Sequence, residues 1–123
     1  MDAAPRPLVV KVTCGAEAPE RVTQAWTVAA TAVAAGADVT VWLTGDAVWC
    51  AVADRVPVLQ LEHAAPLADL VEAVRAGGRL VVCTQCAARR DLTAADLVAG
   101  ATIAGAASFV EAVLTEGVQA LVY

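Results

Sequence analysis

Apolar and polar positions along the chain fall into two alternating patterns. Continuous runs rich in Val and Leu predict buried strands at 8–14, 38–44, 79–83, 101–104 and 118–123, with a further short strand at 56–61. Segments with apolar residues at helical spacing predict helices over 20–35, 47–54, 66–76 and 108–115. Because apolar strands alternate with helices, we expect a mostly parallel sheet with helices on both faces.

Residues that begin and end helices support this interpretation. Pro19 suits a first helical turn, and Gly36 suits the end of the same helix. Thr93 is a good N-cap, with Asp96 at the third helical position. The predicted fold class is α/β: a three-layer sandwich with flavodoxin-like layering and a mostly parallel, five- or six-stranded sheet. We expect one domain over residues 1–123, because neither a linker nor a repeat interrupts the pattern.

The composition predicts a folded chain without a membrane span. Apolar residues make up 59% of the chain, and the mean hydropathy is +0.67. Small side chains account for most of this value, because 30 residues are Ala and 21 are Val. The longest uncharged stretches, 22–37 and 97–110, contain polar residues and fall short of the ~18–20 apolar residues of a spanning helix. We therefore expect neither a membrane partner nor a disordered chain.

The net charge and the cysteine content limit which kinds of partner and which cellular compartment we expect. The net charge is −5 and the isoelectric point is about 4.6, which argues against a nucleic-acid partner. Residues 1–7 lack the charged and then apolar pattern of a signal peptide, so we expect a cytoplasmic protein. In that reducing compartment, four Cys favour free thiols, metal binding or redox chemistry over structural disulfides.

The positions of the four Cys are the main functional signal. Cys14 ends the first predicted strand, Cys83 ends a later one, and Cys50 follows the second strand. Parallel α/β sheets collect functional groups at the carboxyl ends of their strands, so we expect these three sulfurs to open on the same edge. Cys86 is expected on the same loop as Cys83 or in the first turn of a helix. For Cys14 and Cys50, packing in the core is the alternative.

Basic and aromatic neighbours extend this candidate site. Positive charge and a helix N-terminus both stabilise a thiolate, and Arg89 and Arg90 closely follow the Cys-Thr-Gln-Cys segment. A solvated surface is the alternative for both Arg residues. Trp49 stands beside Cys50 and is a candidate to line the same crevice, with a core position as its alternative. His63, the only His, is interpreted as a surface residue.

Other chemistries fit these residues less well. One C-x-x-C with two distant Cys lacks the spacing of a paired zinc knuckle, so no metal is expected. A thioredoxin-type C-x-x-C follows an early strand and opens a long helix, whereas Cys-Thr-Gln-Cys comes late in this chain. The sequence contains no Gly-rich phosphate loop, so no nucleotide or other cofactor is expected.

Segments that cover most of the chain resemble a known family. They are the opening strand with its loop, the stretches 41–48 and 98–101, Pro66 with the helix after it, the terminal strand 121–123, and the segment Leu-Val-Val-Cys-Thr-Gln-Cys-Ala-Ala-Arg-Arg-Asp-Leu at 80–92. They resemble the DsrE/DsrF-like family, which includes the sulfur-relay subunit TusD. The resemblance implies a parallel α/β sheet between helices, a persulfide on Cys83 that passes to a partner protein, and assembly as a trimer or hexamer. Asp91, where relatives often have Gly, and the second thiol of Cys86 depart from the family pattern.

Three functions follow as hypotheses. The first is a small cytoplasmic carrier, at most sulfurtransferase-like, that accepts sulfane sulfur on Cys83 from a donor protein and relays it to an acceptor. Cys86 would then be a resolving or second acceptor thiol, and Arg89 would hold the thiolate or persulfide anion. The second is a non-catalytic, homo-oligomeric binding or scaffold protein whose Cys are packing residues. The third is a redox switch between Cys83 and Cys86.

Overall fold

A five-stranded, all-parallel sheet forms the middle of the fold. The computed structural model describes residues 4–123. The strands are β1 (Pro7–Val12), β2 (Asp38–Leu43), β3 (Arg79–Cys83), β4 (Thr102–Ala104) and β5 (Gln119–Val122). The α-helices are α1 (Pro19–Ala34), α2 (Leu67–Gly77), α3 (Thr84–Arg89) and α4 (Ala106–Leu114), and two 3₁₀ helices span Gly45–Ala51 and Ala94–Asp96. This architecture confirms the predicted α/β fold class.

The order of the strands places the long helices on opposite faces of the sheet. The strand order is β4-β3-β2-β1-β5, so the chain moves in one direction from β1 to β4 and then crosses back to pair β5 with β1. Parallel crossovers are right-handed, so this reversal moves the connecting helix to the other face. Accordingly α1 and α2 pack against each other on one face. On the other face, α4 places Phe109 against Trp42 of β2.

The hydrophobic core lies mainly between the sheet and the pair α1 and α2. Alternate residues of a strand point to opposite faces, and seven of the residues that point towards this pair, five Val and two Leu, form the buried centre of the sheet. All of them are at most 2% exposed: Val10, Val12, Val39, Val41, Leu43, Leu80 and Val82. Trp26 of α1 is fully buried against them. The face that carries α4 is less covered, since no residue of α4 is buried.

Three sequence predictions are wrong in detail. The segment 56–61 forms no strand: Pro57 has no N–H to donate to a sheet, and Val56 and Leu59 instead pack on the core. The helix expected over 47–54 is the 3₁₀ helix Gly45–Ala51. The helix expected to start at 108 starts two residues earlier, because Gly105 takes the N-cap position.

The predictions for helix boundaries elsewhere agree with the structure. Thr93 and Asp96 form the expected capping box, in which Asp96 accepts hydrogen bonds from both the backbone N–H and the hydroxyl of Thr93. Strand β3 has the predicted bounds. Within residues 4–123, none of the helices is both long enough and apolar enough to cross a bilayer.

Candidate functional site

The Cys-Thr-Gln-Cys segment connects a sheet strand directly to a helix. Cys83 is the last residue of β3 and also the N-cap of α3, so no loop separates the two elements. Cys86 occupies the third position of this six-residue helix. Cys83 is partly exposed, whereas Cys86 is only 8% exposed. The junction therefore presents one accessible thiol with a buried thiol one helical turn beyond it.

Cys83 lines a small cavity under α4. The cavity has a volume of about 70 Å³, and its wall consists of Lys11, Trp42, Thr44, Cys83, Ala104, Gly105, Ala106 and Phe109. Lys11 and Trp42 come together because they are paired in the parallel register of β1 and β2. The Phe109 ring packs against both residues. Its centroid lies 5.3 Å from the centroid of the Trp42 ring and 4.9 Å from Lys11 Nζ. A space of this size admits a small group attached to the Cys83 sulfur.

Backbone and guanidinium donors hold the sulfur of Cys86. The Gly45 N–H donates a hydrogen bond to Cys86 Sγ at 3.2 Å, and Arg89 Nη1 lies 3.9 Å from the same sulfur. Gly45 has φ +56, and a side chain there would meet the Thr13 carbonyl oxygen at 3.0 Å. Glycine is thus required at the turn that aims this N–H at the sulfur.

Arg90 joins α3 to the same turn. Its Nη2 lies 2.9 Å from Asp46 Oδ1 in an ion pair, and its Nη1 donates a hydrogen bond to the Cys86 carbonyl oxygen at 3.0 Å. Asp46 follows Gly45 directly, so the ion pair fixes the turn against the helix. The two adjacent Arg residues therefore differ in role: Arg89 faces the sulfur, whereas Arg90 holds the backbone around it.

The surroundings of Cys83 favour its thiolate. Partial burial raises the pKa of the Cys83 thiol. The backbone N–H and thiol of Cys86, the backbone N–H of Gln85 and the Arg89 guanidinium lower it by more, so the pKa lies below its ordinary value of 9.0. The two N–H groups belong to the first turn of α3, a helix of only six residues.

The end of α3 is closed by a left-handed residue. Asp91 has φ +55, its N–H donates to the Ala88 carbonyl, and the Leu92 N–H donates to the Ala87 carbonyl. This is the hydrogen-bond pattern of a Schellman motif, in which the left-handed position favours glycine. At Asp91, an L-residue with a side chain therefore occupies a position that suits glycine better.

Cys14 and Cys50 form a second, buried pair of sulfurs. They are 3% and 0% exposed, so the expectation that they open on the sheet edge with Cys83 is wrong. Strand β1 ends at Val12, and the chain then turns Cys14 into the core. Burial raises the pKa of Cys14. Burial also raises the pKa of Cys50, to about 12, and the nearby Trp26 indole offsets only part of this increase. Both thiols are therefore neutral packing groups.

Two other residues considered in the sequence lie elsewhere. The Arg55 guanidinium lies over the Trp49 ring, with its Cζ 4.1 Å from the ring centroid. His63 is exposed, as expected, and adopts φ +60 in the irregular segment before α2.

Sequence reasoning missed the residues that other strands and turns contribute to the site. They are Lys11, Trp42, Thr44, Gly45, Asp46 and Phe109. One signal was available, because Lys11 is the only Lys of the chain and interrupts an apolar strand. The other residues carry no local mark that assigns them to Cys83 or Cys86.

The site offers nucleophilic sulfur chemistry. It combines an accessible thiol of lowered pKa, a second thiol held by N–H donors, and an adjoining cavity. Within the part of the chain that the structure describes, no three His, Cys, Asp or Glu side chains are grouped to hold a metal ion.

Comparisons with known proteins identify the family of the chain. The solved structure of the ychN protein from E. coli matches with a TM-score of 0.79 and 16% identity, over 96% of this chain and 99% of that one. A protein of unknown function, MTH1491 from Methanobacterium thermoautotrophicum, matches with a TM-score of 0.72 and 16% identity, over the same shares of the two chains. At this identity the two structures show a shared fold. A search of curated proteins found no match.

The model of the DsrE/DsrF-like family matches residues 8–122, and the chain therefore belongs to this family, which is generally one of sulfur relay.

Proposed function

We propose that the chain carries sulfane sulfur as a persulfide on Cys83 and relays it between a donor and an acceptor protein. The observation that carries this proposal is the position of Cys83, a partly exposed thiol at a strand end that borders a cavity able to hold one added sulfur atom. The lowered pKa of its thiol supports the same role, since the thiolate is the attacking form.

The loading step balances without an oxidant. The Cys83 thiolate attacks the outer sulfur of a donor persulfide, a new S–S bond forms, and the S–S bond of the donor breaks. The donor leaves as a thiolate and takes up a proton, while Cys83 holds the transferred sulfur as a persulfide. A persulfide is anionic near neutral pH, so the Arg89 guanidinium and the nearby N–H groups favour the loaded form.

The scaffold hypothesis requires Cys83 to be a packing residue. Cys50 shows what such a residue looks like in this fold: it is fully buried, and burial raises the pKa of its thiol to about 12. Cys83 differs in both respects, because it is partly exposed and its pKa is lowered. The contrast favours the sulfur carrier.

Sulfur loading is tested by intact mass after the reduced protein has been incubated with inorganic polysulfide and desalted. We expect the chain to gain one sulfur atom, and we expect Cys83→Ser to abolish the gain because the acceptor atom is lost. Cys14→Ala is the matched control, since it removes a buried thiol, and it should load like the unchanged chain. Loading that persists in Cys83→Ser, or that is abolished equally by Cys14→Ala, would contradict the proposal.

We further propose that the chain forms a homo-trimer or homo-hexamer in the cytoplasm. A reducing compartment keeps Cys83 and Cys86 as free thiols, the state in which the structure shows them. Assembly would cover the apolar side chains that α4 and β5 leave exposed, among them Leu114 and Val122.

A further inference from the structure

We infer that Cys86 is the resolving thiol of this site: it attacks the Cys83 sulfur that carries a transferred group, forms a Cys83–Cys86 disulfide and expels that group. When the transferred group is sulfane sulfur, the inference rests on the proposed function. It adds a second reacting residue and a second outcome, in which sulfur leaves as hydrosulfide instead of passing to an acceptor protein.

The first support is the placement of the two sulfurs on one turn of helix. Cys83 is the N-cap of α3 and Cys86 is its third residue. Residues three positions apart at the start of a helix lie on the same side of it, so the two cysteine side chains are neighbours. The two thiols are close enough for Cys86 to contribute to the lowered pKa of Cys83. A bond between them therefore closes a short loop that the helix already forms.

The second support is the environment of the Cys86 sulfur. The sulfur of Cys50 lies in the core, with the Trp26 indole beside it. Cys86 Sγ instead accepts the Gly45 N–H at 3.2 Å and lies 3.9 Å from Arg89 Nη1. Both contacts hold this sulfur in a fixed position one helical turn from Cys83. The ion pair between Arg90 and Asp46 fixes the turn that supplies the Gly45 N–H.

The third support is the order of access. Cys86 is only 8% exposed, so an external sulfur donor meets the partly exposed Cys83 first. Cys83 also borders the cavity that Lys11, Trp42 and Phe109 line, and this cavity gives an added sulfur room to extend. The outer sulfur then lies in the cavity, while the inner sulfur stays beside Cys86. This arrangement favours attack on the inner sulfur and release of the outer one.

The reaction balances in atoms and electrons. The Cys86 thiolate attacks the inner sulfur of the Cys83 persulfide, the Cys83–Cys86 bond forms, and the bond to the outer sulfur breaks. The outer sulfur leaves with the electron pair as hydrosulfide. The sulfane sulfur is thereby reduced, and the two cysteines are oxidised to a disulfide. A low-molecular-weight thiol, by two exchanges, returns both cysteines to thiols and becomes a disulfide itself.

The test compares the unchanged chain with Cys86→Ser, a variant that keeps a small polar acceptor for the Gly45 N–H. Each reduced protein is incubated with inorganic polysulfide, desalted, and followed by intact mass and by an assay for released sulfide. We expect Cys86→Ser to retain the added sulfur. The unchanged chain should first gain the sulfur and then lose it as it releases one sulfide per chain. It should end two hydrogen atoms lighter than the reduced chain, and peptide mapping should place the disulfide between Cys83 and Cys86.

A second probe separates this inference from the proposed function. Glutathione disulfide forms a mixed disulfide with a reactive thiol and involves no sulfane sulfur. We expect Cys86→Ser to retain the glutathione adduct on Cys83, and we expect the unchanged chain to expel it and form the same internal disulfide. If neither protein retains polysulfide sulfur, the proposed function fails, and the glutathione arm alone decides the role of Cys86. If the unchanged chain keeps its adducts as long as Cys86→Ser does, the resolving role is overturned.

Discussion

Identical thiols acquire opposite properties in this fold because their neighbours differ. Burial raises the pKa of Cys50 to about 12, and the Trp26 indole beside it offsets little of this effect. Partial burial acts in the same direction on Cys83. The N–H groups of α3, the Cys86 thiol and the Arg89 guanidinium outweigh it. Reactivity at neutral pH should therefore be confined to the sulfurs at the start of α3.

This difference predicts the pH dependence of alkylation. A lowered pKa keeps the Cys83 thiolate populated at lower pH, so its rate of reaction with iodoacetamide should rise with a midpoint below 9.0. Arg89→Gln removes a positive charge that favours the thiolate, so the midpoint should move to higher pH. The measurement is the rate of modification of the peptide that contains Cys83, taken as a function of pH.

Arg75→Gln serves as the control for this substitution. Arg75 also carries a positive charge near the end of a helix, but it pairs with Glu72 on α2 at 2.6 Å. The change should leave the midpoint of Cys83 unmoved. A midpoint at or above 9.0 in the unchanged chain would contradict the lowered pKa of Cys83. Equal shifts in both variants would show that Arg89 has no specific effect on the thiol.

At the scale of elements, α3 is a short helix stabilised at both ends by its surroundings. Helices of this length are not stable by themselves. Strand β3 leads straight into its first residue, the Arg90–Asp46 ion pair fixes it to the turn after β2, and the Schellman motif at Asp91 closes its other end. The position of Cys86 therefore depends on contacts that lie outside the helix.

The left-handed residue at the end of α3 gives a prediction for stability. Asp91 has φ +55, a conformation that strains most L-residues by ~1–2 kcal/mol and glycine hardly at all. The greater flexibility of glycine in the unfolded chain offsets ~0.5–1 kcal/mol of the gain. We expect Asp91→Gly to raise the free energy of unfolding by roughly 0.5–1 kcal/mol, as measured by urea denaturation.

Asp69→Gly should have the opposite effect on the free energy of unfolding. Asp69 is also an acidic residue, but it lies in the first turn of α2, where glycine loses more conformational freedom and a favourable charge is removed. This variant should be less stable by about 1 kcal/mol. If both substitutions destabilise the protein, strain at Asp91 is not the dominant effect at that position.

The bounds of the elements were predictable where local signals agree. The apolar run of β3 stops at Cys83, and the Thr93–Asp96 capping box is visible in four consecutive residues. The segment 56–61 has the apolar content of a strand, yet it does not join the sheet. Pro57 within this run has no N–H to donate to a sheet, so the segment carries a local signal against a strand as well as the apolar content that favours one.

At the scale of the whole molecule, the two faces of the sheet are unequally covered. The residues of β2 and β3 that face α1 and α2 are buried, whereas α4 has no buried residue and every residue of β5 is exposed. Edge strands with unpaired backbone groups and exposed apolar side chains readily pair with another chain. We propose that copies of this chain cover α4 and β5 in the homo-oligomer.

A single substitution on α4 tests this assembly. Leu114 is 77% exposed, and Leu114→Glu would place a charge in the proposed contact. We expect light scattering after size-exclusion chromatography to give a multiple of the 12.5 kDa chain for the unchanged protein and a smaller species for the variant. Val58→Glu is the control, because Val58 is an apolar residue that is 89% exposed in the segment before α2. A monomeric unchanged protein would contradict the assignment of this contact. Dissociation by Val58→Glu but not by Leu114→Glu would also contradict it.

The sequence by itself determined the fold class and the place of Cys83 in it. Apolar runs bounded by Gly and Pro are local features, and they were sufficient to predict an α/β sheet with Cys83 at a strand end and Cys86 beside it. Tertiary structure alone decided which of the four sulfurs are accessible, because burial depends on packing between distant segments. It also brought Lys11, Trp42 and Gly45 to the two thiols through strand register and a tight turn. These contacts join residues more than 30 positions apart, and for that reason no local pattern predicts them.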